Sequence, residues 1–186
     1  MTMATLAPES RACPCGRLAS DFLTLAGEGG GIERGGRSAK GCKEGSGSGS
    51  GSGGGDSKDR KSRALAASVL PYTECCGRYL DHWSTTPAPD AHSLMRSRYT
   101  AFVLEHAAYL QATWHPSTRP STLDFEPGTR WLGLEVRAHR QIDAEHAEVE
   151  FVARQRSVGG KALRLHERSR FVRTDGRWFY VDGDLT

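Results

Sequence analysis

The residues of this 186-residue chain best suited to chemistry are its cysteines. Four of the five fall in two close pairs, Cys13 and Cys15 in Cys-Pro-Cys-Gly and Cys75 with Cys76 in Glu-Cys-Cys-Gly. Two pairs offer four thiolates, the number that closes a tetrahedral zinc site. A site closed in this way has no position left for water, so its metal holds a fold together and does not catalyse. Gly16 and Gly77 follow the two pairs and let the backbone turn tightly around sulfur. Cys42 stands alone in a glycine-rich stretch and reads as a free thiol. Two alternatives stay open: ordinary reduced cysteines, and ligation by His82 beyond Cys76.

A second group gathers Arg96, Arg98, Tyr99, Trp114, His115 and Arg119. On a helix, residues three apart share a face, so Arg96 accompanies Tyr99 while Arg98 turns about 100° away from Tyr99. An arginine entering the protein interior needs a carboxylate or an anionic ligand, and Glu150 or Glu167 could serve. His115 beside Trp114 could act as a general acid or base, or could simply bond the last carbonyls of a helix. Arg96, Tyr99, Trp114, His115 and Arg119 are therefore the residues expected to line a pocket, with no catalytic role assigned to any of them. No phosphate-cradling glycine loop and no HExxH motif is present.

These residues need elements to position them. Met95, Tyr99, Phe102, Val103, Tyr109, Leu110 and Trp114 recur at helical spacing, with Asp90 placed as N-cap after two prolines. Glu105-His106 is a candidate break, and Pro116 and Pro120 end the run. Beyond Arg130 the period becomes two. Leu132, Leu134, Val136 and Ala138 form one alternating set, and Ala147, Val149, Phe151 and Ala153 form another. Gly159-Gly160 marks a turn, Leu163 and Leu165 lie in a third strand, and Asp175-Gly176 leads as a hairpin turn into a fourth from Arg177. Helices followed by an antiparallel meander describe an α+β domain in which the helices cover one face of the sheet.

Composition bounds the rest. Of 22 glycines, 14 lie between Gly27 and Gly55, inside a Gly/Ser and charged stretch too poor in apolar residues to order itself. The expected organisation is a short head over residues 1–18, a low-complexity disordered insertion over 19–69, the second cysteine pair within 70–83, and the α+β domain over 84–186. A formal charge of +3 is too small to argue for nucleic acid or a membrane surface. Arg137, Arg154, Arg168 and Arg170 could form a basic patch, but Glu135, Glu148 and Glu167 share their strands. No membrane span and no basic-then-apolar leader is seen, so the cytoplasm is the expected compartment, where paired cysteines favour a metal over a disulfide.

The cysteine pairs, in CPCG and PYTECCG, resemble the SEC-C motif, a small zinc-binding element also found at the C-terminus of the SecA translocation ATPase. Its pattern is C-x-C, a short gap, then C-C or C-H. Joining Gly16-Arg17-Leu18 to Leu70–Glu74 restores that gap; here it runs from Gly16 to Glu74. Lengthening a flexible loop about sevenfold costs on the order of 1.7 kcal/mol. Structural zinc supplies roughly 10 to 16 kcal/mol in small modules, so the insertion is expected to be tolerated.

PYTECCGRYLDH, LMRSRYTAFV and YLQATWHPSTRP extend the resemblance to the YchJ-like family, in which a SEC-C element precedes a domain similar to nuclear transport factor 2. The resemblance implies a cone, with helices packed in the hollow of a curved antiparallel sheet, and zinc held by Cys13, Cys15, Cys75 and Cys76. It implies no reaction. Its similarity to the SecA tail points to a protein partner. Related cones include isomerases and dehydratases, so the alternative is a small-molecule ligand or substrate in the hollow.

Overall fold

A computed structural model describes residues 11–20 and 68–186. The chain divides into one unit of Met1–Arg17 with Val69–Thr186 and a second of Leu18–Ser68. The expected insertion, apart from its ends, and Cys42 within it lie outside the described residues.

Among the described residues, the first unit has helices α1 (Gly77–Leu80), α2 (Ala91–Val103) and α3 (Ala107–Ala112), followed by strands β1 (Arg130–Gln141), β2 (His146–Arg156), β3 (Ala162–Thr174) and β4 (Arg177–Leu185). Asp90 begins α2 as its sequence position requires: the backbone is extended and the carboxylate accepts from Ser93 N–H at 2.6 Å. The helix stops at Glu105, whose φ of +53° reverses the chain. His106 N–H then donates back to Ala101 O at 2.8 Å, and the His106 ring accepts from Tyr109 N–H to start α3.

α2 is buried on most of its circumference. Its polar residues must therefore find partners inside the protein. Ser97 donates to Leu94 O and shares a 2.7 Å hydrogen bond with the Tyr109 hydroxyl.

The four strands form one antiparallel sheet in the order β1-β2-β3-β4. Asp175 and Gly176 both have positive φ, the conformation a two-residue hairpin turn needs, and join β3 to β4. After α3 the chain zips onto the far edge strand: Tyr180 N–H donates to Thr113 O and His115 N–H to Tyr180 O, at 2.9 and 2.7 Å. This closes one corner of the space between helices and sheet. No helix among the described residues is long and apolar enough to cross a membrane.

The simple alternation expected for β1 is corrected by two register shifts, at Trp131/Gly133 and Val136/Ala138. Each adds a residue on one strand and so reverses which side chains face inward. Leu132 is thereby turned out, 46% exposed, while Trp131 and Leu134 both pack toward the core. Ala138 is exposed as well, and His139 faces α2, stacked on His92. Leu163 also lies outside the core.

The Asp90 cap is a local stability term open to direct measurement. Asp90→Ala is expected to cost about 1 kcal/mol in urea unfolding, and Asp90→Asn much less, because asparagine can still accept from Ser93 N–H.

Candidate functional site

The two cysteine pairs are brought together by a short main-chain clip. Cys13 N–H donates to Leu70 O, Leu70 N–H to Arg17 O and Tyr72 N–H to Arg11 O, all between 2.8 and 2.9 Å. Between the first pair and Arg17 the chain turns at Gly16, with Gly16 N–H bonded to Cys13 O and φ at +66°. The second pair follows a single 3-10 turn, Tyr72–Glu74, and Cys76 begins α1. Gly77 is needed there for space: a Cβ on it would stand 2.7 Å from the Tyr72 ring.

Cys13, Cys15, Cys75 and Cys76 place their sulfurs within 4.8 Å of one another. All four are free thiols and at most 4% exposed. Cys15 and Cys75 are 3.5 Å apart, and Cys75 and Cys76 are 3.9 Å apart. A tetrahedron of sulfurs around zinc, with bonds of about 2.3 Å, has edges of about 3.8 Å, so these residues fit the metal in type, number and spacing. Among themselves the thiols are in conflict. Hydrogen bonds from Cys15, Cys75 and Cys76 hold Cys13 far below the usual thiol range, and the bonds to Cys13 and Cys15 push Cys76 well above it. His82 is exposed and outside the group, which removes it as a candidate ligand.

Helix α2 carries the cluster on one side. Cys13 Sγ lies 3.8 Å from Thr100 Oγ1, and Arg96 donates through Nη1 to Cys15 O and through Nε to His92 Nε2, at 3.1 and 3.0 Å.

On its other side α2 borders a cavity of about 410 Å³ between helices and sheet. Of the five residues expected there, Tyr99 and Trp114 line it. Arg96 does not, because it reaches the cysteine loop. His115 hydrogen-bonds Ser117 and packs edge-on to Phe179, and Arg119 donates to Trp114 O. Neither lines the cavity.

The arginine that does enter the cavity wall is Arg98, 5% exposed. Its Nη1 donates to Leu110 O and Thr113 Oγ1, both at 2.9 Å, at the C-terminal end of α3. Its guanidinium carbon sits 4.9 Å from the Trp114 ring centre and 4.6 Å from that of Tyr180. These π faces, the Leu110 carbonyl and the Thr113 hydroxyl support the charge where water cannot. Burial nevertheless pushes its pKa down to about 10, which leaves it protonated at neutral pH.

A sequence signal for Arg98 existed: it lies three residues after Met95 and four before Phe102, on the face those two define. Nearby, Glu167 accepts from Ser169 Oγ and the Tyr180 hydroxyl, and its carboxylate packs against the bare α-carbon of Gly183. Trp114 Nε1 is buried without a hydrogen-bond partner. Leaving such a donor unmade costs about 1–3 kcal/mol.

The four arginines expected as a basic patch are each paired with a carboxylate. Arg137 and Arg154 pair with Glu135, Arg168 with Glu150, and Arg170 with Asp182 and Asp184.

Comparison with known proteins agrees with this architecture. Residues 90–183 match the family description "YchJ, middle NTF2-like domain". The chain belongs to the YchJ-like family. A UPF0225 protein of Polaromonas sp. (strain JS666) is 70% identical over 122 residues, covering 64% of this chain and 88% of the relative. One from Bordetella pertussis is 56% identical over 117 residues, covering 61% and 86%. Two solved SEC-C motif-containing proteins are similar to this chain in structure, each at 33% identity. The solution structure from Rhodopseudomonas palustris has a TM-score of 0.56 and covers 64% of this chain and 94% of that one. The crystal structure from Psychrobacter arcticus has a TM-score of 0.54, with 64% and 75% covered.

His92, in the first turn of α2 and stacked on His139, makes stability pH-dependent. Burial, then the neighbouring Arg96 and Arg17 charges, pushes the His92 pKa down from 6.5 to about 4. A base whose folded pKa is depressed contributes stability above its unfolded pKa and loses it as pH falls. Unfolding free energy is therefore expected to drop between pH 6.5 and 4, by up to ~3 kcal/mol. His92→Gln should flatten that part of the profile in chemical-denaturation series.

Proposed function

We propose that this chain is a cytoplasmic zinc protein in which one structural ion, held by Cys13, Cys15, Cys75 and Cys76, locks the head of the chain against helix α2 of the cone. The observation that carries this reading is the set of four buried, unbridged sulfurs within 4.8 Å. A zinc ion there supplies charge compensation and cross-linking, with no coordination position left for a substrate. A zinc ion with four thiolates carries two net negative charges, and the Arg96 guanidinium bonded to the Cys15 carbonyl lies on the side of α2 that meets them. Four cysteines used as metal ligands and not as disulfides fit a reducing compartment, which favours the cytoplasm.

The protein-docking role suggested by the SEC-C resemblance belongs, on this reading, to the outer shell of the knuckle. The sulfurs are buried, whereas Thr73, Glu74 and Arg78 are exposed around them.

Elemental analysis of purified protein is expected to give one zinc per chain. Replacing both Cys75 and Cys76 with serine should abolish it, and chelation of the unmodified protein should lower the melting temperature reversibly, restored by added zinc. Retention of stoichiometric zinc in the double variant would refute the four-cysteine assignment.

A further inference from the structure

The hollow presents polar groups that the metal centre does not use. Arg98 commits one arm of its guanidinium to the fold, Nη1 donating to Leu110 O and Thr113 Oγ1. Nε and Nη2, the edge that grips an oxygen side-on, have no hydrogen-bond partner among the described residues. Neither nitrogen is sealed as the Trp114 indole nitrogen is, so this edge of a side chain only 5% exposed opens on the hollow that Arg98 lines. Leaving donors of a buried charge unmade is costly, which makes the edge a seat for an acceptor.

Glu167 lines the same hollow from β3 and is half-buried. Its Oε1 accepts from Ser169 Oγ and the Tyr180 hydroxyl at 2.7 and 3.1 Å, whereas Oε2 accepts from no described residue and is not sealed either. A Cβ on Gly183 would collide with this carboxylate, so the glycine makes room for it where it stands. Tyr180 joins the two groups: its ring centre is 4.6 Å from the Arg98 guanidinium carbon and its hydroxyl bonds Glu167. Arg98 and Glu167 nevertheless make no hydrogen bond to each other. A fixed donor edge and a fixed acceptor thus stand unpaired beside one tyrosine.

At about 410 Å³ the hollow falls in the range of small-molecule sites and takes one or two fused rings. Its walls suit a flat one, since Tyr99 and Phe102 both pack on Trp131 and Phe125 stands edge-on to Phe102. The lining carries Arg98 against the carboxylates of Glu105, Asp124, Glu126 and Glu167, a field that opposes an anion. A neutral group with an acceptor next to a donor serves both unpaired edges without adding charge. An amide is such a group.

We propose that the hollow binds a neutral, planar cyclic amide, its carbonyl oxygen accepting from Nε and Nη2 of Arg98 and its N–H donating to Oε2 of Glu167, with the ring against the aromatic wall. Zinc content reads the cysteine site separately, so the two readings fail independently.

The test is calorimetric titration of the full chain with three flat probes of similar size. Isocarbostyril is a two-ring lactam; isocoumarin replaces its N–H with oxygen; 1-naphthoate carries a carboxylate. Isocarbostyril is expected to bind at least about tenfold more tightly than either. Gly183→Ala, whose methyl displaces the Glu167 carboxylate, should remove the advantage over isocoumarin, and Arg98→Lys, which lacks the two-donor edge, should weaken isocarbostyril binding at least about tenfold. Arg98 also braces α3, so that variant is checked for a cooperative unfolding transition. The Arg98 Nε–H signal of the unmodified protein in proton–nitrogen spectra gives a measurement that does not depend on the variant, and isocarbostyril should shift it. Equal binding of isocarbostyril and isocoumarin overturns the proposal, as does equal or tighter binding of 1-naphthoate. An unmoved Arg98 Nε–H signal, or absence of heat with all three probes at millimolar concentration, overturns it too.

Discussion

Four sulfurs held within 4.8 Å in a dry part of the protein are the constraint on which the rest of the fold's N-terminal side depends. Each thiolate stabilises its neighbours' protonated form and opposes their ionisation, so the group cannot settle into one charge state by itself. A divalent cation resolves this by making all four anionic at once. Without that resolution, residues 11–17, which form a turn and one isolated bridge from Ala12 to Pro71, are held by the backbone bonds of the clip to Leu70 and Tyr72 and by Arg96 on the Cys15 carbonyl. A two-stranded pairing of that length is marginal in water, so the sulfur cluster is what turns a weak clip into part of the core.

Helix α2 is the wall shared by the two sites. Arg96 and Thr100 face the cysteine loops, and Met95, Arg98, Tyr99 and Phe102 face the hollow. A helix surrounded in this way cannot leave polar groups to solvent, and this accounts for the way each one is used. Ser97 ties α2 to α3 through Tyr109, and Arg98 closes the C-terminal end of α3. Arg98 also reaches Trp114 and Tyr180, residues that are themselves joined by backbone pairing between the loop after α3 and β4. One buried cation therefore braces helix, loop and edge strand at a single corner. Its neighbour Arg96, two residues away, does the corresponding work on the sulfur side.

Much of this was legible before any coordinates. The N-cap at Asp90, the break at Glu105-His106, the Asp-Gly hairpin and the meander all follow from local rules about side-chain capping, positive φ and period. The four cysteines converge as their pairing implied. The errors arose where a local rule met a tertiary choice. Alternation in β1 put Leu132 inward, but inserted residues let Trp131 and Leu134 share the inner face, and periodicity has no way to announce a bulge. Arg96 was placed in the hollow because it shares a face with Tyr99. Arg98 shares a face with Met95 and Phe102, and on a helix buried nearly all round both are inside; only the neighbouring elements decide which arginine meets which site. His115 and Arg119 looked like pocket residues by proximity to Trp114, yet the chain after α3 follows β4 and carries them past the opening.

The tolerance of a glycine-rich segment between the cysteine pairs follows from the same physics. The segment falls between the two cysteine pairs, in a place where the ends of the intervening segment already meet: Ala19 N–H donates to Ser68 O at 3.0 Å. A loop whose ends are in contact exerts no tension whatever its length, and its closure entropy grows only with the logarithm of that length. The distance between the cysteine pairs is fixed by the Cys13–Leu70 and Tyr72–Arg11 bonds, which the glycine-rich segment does not interrupt. Residues added instead between Cys13 and Cys15, or between Tyr72 and Cys76, would change the turn that aims each sulfur. Length is therefore tolerated between the cysteine pairs and not within them, because metal coordination constrains the angles of its ligands far more tightly than the contour of the chain connecting them.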